Sequence, residues 1–88
     1  LAQTSVATIL ARHALQLQRH DDFDALTRKA LEQDDDGAVE RAYLRAGWLL
    51  DQRQDDGAAR KLLGALGQRV NGHPLQGKIE ALGQVLGL

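Results

Sequence analysis

Residues 18–22 read Gln-Arg-His-Asp-Asp and residues 52–56 read Gln-Arg-Gln-Asp-Asp, the same phrase 34 residues apart in a chain of 88. A repeated Arg-x-Asp-Asp is either a ligand set or punctuation between helices. A calcium loop needs a glycine sixth and a bidentate glutamate twelfth. With Gly37 or Gly57 as sixth residue, the twelfth is Tyr43 or Leu63, and neither can serve. Aspartate just before a first turn caps free N–H groups, for about 0.5–2 kcal/mol each, and arginine in a last turn meets the negative end of the helix dipole. Asp21-Asp22, Asp34-Asp35-Asp36 and Asp55-Asp56 are therefore read as helix starts, and Arg19 and Arg53 as helix ends.

Working outward from those marks, apolar spacing at i, i+3, i+4 and i+7 predicts five helices. The first, over about 4–19, carries Val6, Ile9, Leu10, Ala14 and Leu17 as its core stripe. The second, over about 22–33, carries Phe23, Leu26, Ala30 and Leu31, and the third, over about 37–53, carries Val39, Ala42, Tyr43, Ala46, Leu49 and Leu50. The fourth, over about 57–70, carries Ala59, Leu62, Leu63, Leu66 and Val70, with Asn71-Gly72 as its stop. Pro74 opens the fifth, over about 74–87, with Leu75, Ile79, Leu82, Val85 and Leu86. Short connections of about two to five residues predict antiparallel hairpins in one all-α domain spanning 1–88.

Composition excludes several function classes. There is no cysteine, hence no thiolate metal site or cysteine nucleophile. Eleven basic and twelve acidic residues give a net charge of −1, with no bias toward nucleic acid or anionic membrane. No apolar run is long enough to span a bilayer, and the start at Leu1 shows no signal peptide, so a cytoplasmic fragment of a longer protein is expected. His13 and His20 lack a third ligand at metal spacing, and the only serine, Ser5, has no nucleophile elbow. The chain is expected to be no enzyme and to hold neither cofactor nor metal.

The repetition extends beyond the opening phrase. A slide of 33 pairs Val6 with Val39, Leu10 with Tyr43, Ala14 with Gly47 and Leu17 with Leu50. A large–small–large pattern recurs as Leu10-Ala14-Leu17, Tyr43-Gly47-Leu50 and Ile79-Gly83-Leu86. This pattern, in a helix-turn-helix unit of about 34 residues, resembles the tetratricopeptide repeat. It would comprise repeat one at about 4–36, repeat two at about 37–72 and a closing helix at about 74–87.

The resemblance implies an α-α superhelix that binds a protein or peptide in its groove. The small slots then mark close helix approach, at Gly47 and Gly83 and likewise at Gly64 and Gly67. The groove slots fall on Leu15, Gln18 and Arg19, on Arg41, Leu44, Trp48, Asp51 and Gln52, and on Glu80 and Gln84. Trp48 and Leu44 would bury apolar area, while Arg41 and Asp51 would set orientation. Trp48 has a second reading, as core packed against the fifth helix. A bacterial signal-responsive regulator, a thioredoxin-like co-chaperone and a secretion chaperone are the settings that the resemblance implies. The alternative is a homo-oligomerisation domain in which Leu86 and Leu88 form the contact.

Overall fold

The computed structural model describes residues 5–35 and 37–88. Five α-helices follow one another: α1 (Val6–Gln16), α2 (His20–Thr27), α3 (Ala38–Asp51), α4 (Asp56–Leu66) and α5 (Gln76–Val85). A single 3-10 turn (Ala30–Glu32) lies between α2 and α3. Among the described residues there is no strand, and no helix is long and apolar enough to cross a membrane. The fold is all-α.

The punctuation is more varied than the repeated phrase suggests. Asp55 caps α4, its carboxylate accepting the Ala58 N–H at 3.0 Å. Asp21 and Asp22 lie inside the first turn of α2 rather than before it, and the preceding residue, Arg19, makes no capping bond. The left-handed residue of the turn is Gln18 (φ 58°) in the first phrase and Gln54 (φ 52°) in the second. These are the first and third letters of the two phrases, so matching words make different turns. Ser5 caps α1 by accepting the Thr8 N–H.

The fourth helix ends at Leu66, well before Asn71-Gly72, and the connection to α5 runs over residues 67–75, longer than expected. That loop is anchored by buried Val70 and by Arg69, whose guanidinium donates to the carbonyls of Leu31 and Gln33, both at 2.8 Å. Gly72 takes a left-handed φ of 79° within it, which a side chain would strain.

The core forms where α3 meets its neighbours. Phe23, Ala42, Ala46, Trp48, Leu49, Ala59, Leu63, Leu66 and Ile79 are all buried. Of the predicted core stripe of α1, Ala14 alone is buried. Val6 is 71% exposed, Leu17 56%, Ile9 52% and Leu10 50%, while Thr8, Ala11 and Ala14 are buried. At 100° per residue the centres of the two sets lie about 140° apart, and Ala14 stands at the boundary beside Leu10. At Thr8 the inner side must be small because the start of α3 approaches closely: a Cβ on Gly37 would collide with Thr8 Oγ1 and lie 2.7 Å from Thr8 Cβ. Larger side chains do not fit there and face out.

Gly37 is thus the glycine that close packing requires. At Gly47 and Gly64 an added Cβ would meet nothing within 4 Å, and at Gly67 and Gly83 only ordinary contacts. The close approach expected at Gly47 is absent.

Candidate docking groove

Trp48 is core. It is 3% exposed, its ring centroid lies 5.2 Å from that of Phe23, and its indole N–H donates to His20 Nδ1 at 3.0 Å. The guanidinium carbons of Arg45 and Arg53 stand 5.5 Å and 4.9 Å from its ring centroid, a cation–π arrangement. The indole packs against His20 and Phe23 of α2, and it also borders the groove described below. A satisfied N–H explains how so large a group is buried without cost.

Arg41 was expected to line the groove and is instead fully enclosed. Its Nη1 donates to Ser5 Oγ (2.9 Å), Thr8 Oγ1 (2.8 Å) and Asp35 Oδ2 (2.7 Å), and its Nη2 to Gln33 Oε1 and Asp35 Oδ1, both at 2.6 Å. The bidentate pair holds the Asp35 carboxyl well below the usual carboxylate range, chiefly through hydrogen bonds from Arg41, and raises the arginine in turn. This cation clamps the start of α1 to the start of α3. It has no donors to spare for a partner except Nε, which is buried without an acceptor.

A second cluster does the same for α2. Arg45 Nη1 donates to Asp24 Oδ1 at 2.8 Å, and Asp24 also pairs with Arg28. Hydrogen bonds from Arg28 and then from Arg45 lower the Asp24 pKa.

Six of the ten expected groove residues do converge, Gln18 on the rim and five on the walls. Leu15, Leu44, Trp48, Asp51 and Gln52 border one cavity of about 440 Å³ between the end of α1, the middle of α3 and α5. Tyr43 and Leu82, read in the sequence as core, line it too and are half-buried. Gly47 leaves the floor open, and Gln16, Gln18 and His20 complete the rim. Arg19 lies outside the groove, paired with Asp22 at 2.7 Å beside the neighbouring hollow between α1 and α2. Glu80 and Gln84 sit apart as well, on a cavity of about 350 Å³ formed with Leu63, Ile79 and Leu88. Local sequence pattern gives no sign of the His20 pairing, because its partner is an indole 28 residues downstream.

What remains is an apolar trough with an amide-rich rim. Asp51 is the one acidic side chain on it, exposed and bonded only to its neighbour Gln52. Among the described residues no three His, Asp or Glu side chains gather as metal ligands. Comparison with protein-family models, characterised proteins and solved structures returned no match. Any functional reading therefore rests on this geometry.

Proposed function

We propose that the chain is a protein–protein docking module with no catalysis of its own, taking a short segment of a partner protein into the groove between α1, α3 and α5. The observation that carries this reading is the meeting of Leu15, Tyr43, Leu44 and Leu82, from three separate helices, around one cavity of about 440 Å³. Half-buried apolar side chains around a preformed concavity gain most when a second apolar surface excludes the remaining water.

The matching segment carries neighbouring apolar side chains for the floor and a Lys or Arg to meet Asp51. Acidic segments are disfavoured by the same carboxylate. Such recognition of a peptide by helices at successive positions is also what the helical-repeat resemblance implies, in a regulator, co-chaperone or secretion-chaperone setting.

Panning a displayed random-peptide library against the chain tests the reading. Enriched peptides should combine apolar and basic residues, and their binding should be lost on Gly47→Glu. That change reaches into the groove from a position where a Cβ touches nothing, so the fold is left intact. No enrichment, or peptides that bind Gly47→Glu equally well, would remove the groove from consideration.

A further inference from the structure

We infer that the outer face of α1 is a self-association surface, pairing with the same face of a second copy in antiparallel orientation. The inference is independent of the groove, which lies on the other side of α1. It begins from Val6, Leu10, His13 and Leu17, which are all exposed and stand at intervals of four, three and four residues. That spacing is the seam of a two-helix coiled coil. The inward side of α1 packs on α2 and α3, while the seam stays exposed, with Leu10 and His13 bordering a hollow against α2.

Charge and symmetry choose the occupant. From Val6 to Gln18 the only formally charged residue is Arg12, and its guanidinium is turned to Glu40 of α3. A seam without charged flanks has no repulsion to overcome when it meets itself, and no charge with which to select an oppositely charged partner. A two-fold contact also demands that residue i touch j′ and j touch i′. Turned end for end, the seam does this: Val6 faces Leu17′, Leu10 faces His13′, and each contact is made twice.

The area is adequate for a weak dimer. Beside the seam, Leu10, Ala14, Ala25 and Leu26 border a hollow of about 420 Å³ between α1 and α2, into which a facing side chain fits. At its rim Arg19 and Asp22 neutralise each other. A three-turn helix pair with that hollow buries on the order of 1,000 Å² in total, the lower end of specific interfaces. Area of this size fixes no affinity, so association is followed from about 10 µM to about 1 mM chain.

Sedimentation equilibrium of the chain across that range tests the inference. A monomer–dimer equilibrium is expected, lost in Leu10→Asp with helicity unchanged, because Leu10 is half exposed and its removal opens no core cavity. The absence of native cysteine allows a register test. An oxidised mixture of Val6→Cys and Leu17→Cys chains should yield the mixed disulfide, and neither variant should cross-link readily alone. A monomer throughout, or a Leu10→Asp chain that dimerises as well as the native one, overturns the inference. Ready cross-linking of Leu17→Cys to itself overturns the antiparallel pairing.

Discussion

The Trp48 indole N–H donates to Nδ1 of His20 at 3.0 Å, joining the third helix to the first residue of the second. The bond spans 28 residues and satisfies the one polar atom of the largest core side chain. His20→Leu keeps apolar bulk and removes the acceptor. The expected loss is about 1–3 kcal/mol, the cost of leaving a buried donor unmade. Urea unfolding followed by the emission of this single tryptophan measures it, and an unchanged midpoint would show that the bond contributes nothing.

Two glycine-to-alanine changes should have opposite signs. Gly47→Ala adds a methyl group where nothing lies within 4 Å, inside a helix. It should stabilise the chain by about 0.5–1 kcal/mol, the difference in helix preference between the two residues. Gly37→Ala has an unstrained backbone (φ −95°, ψ −1°) but drives its methyl group into Thr8. It should cost about 1–3 kcal/mol through overpacking. Paired thermal melts separate the two directly.

Acid should weaken the clamps on α3 in a defined window. Asp35 and Asp24 both have folded-state pKa values below the ordinary one, through hydrogen bonds from arginine. Their stabilisation is complete above the unfolded aspartate value of about 3.9 and is lost as pH falls through it toward the folded values. At neutral pH, Asp35→Asn should cost about 1–2 kcal/mol. The effect is less than for an enclosed pair because the carboxylate side chain remains 39% exposed. The variant should also show a shallower fall in stability below pH 4 or so. A native chain whose stability is flat through that range would contradict the assignment.

Much of this fold was legible in the sequence, and the exceptions have physical causes. Helix number and order follow from apolar period and breakers, because those signals are local. The facing of α1 does not. Thr8-Ala11-Ala14 and Val6-Leu10-Leu17 are both helical stripes, and packing against α2 and the close approach of Gly37 to Thr8 turn the smaller one inside. Periodicity favours the greasier stripe; packing favoured the thinner one. At the end of the last helix Leu86 is buried as its stripe requires, which removes it from the alternative contact surface, whereas Val85, read as core, is 81% exposed and Leu88 is exposed too.

The groove was legible in part for the same reason. Leu15, Leu44, Asp51 and Gln52 were found through a resemblance that fixes helix positions, and the structure brings them together. Arg41 occupies a position of the same kind but meets Asp35, Ser5 and Thr8, partners from two other segments that no local pattern reveals. A buried guanidinium cannot be told from an exposed one by its spacing. Gly47 was read as a packing contact and is an opening, because the absence of a side chain serves either purpose.

The most direct test of the docking reading is a residue-by-residue map of binding: amide ¹H–¹⁵N spectra of the labelled chain during titration with an apolar–basic peptide selected on it. Saturable shifts should cluster at Leu15, Tyr43, Leu44, Gly47 and Leu82, spread over three helices but confined to one trough. Shifts confined to the α4–α5 hollow around Leu63 and Glu80, or none at concentrations where binding is otherwise measured, would contradict it.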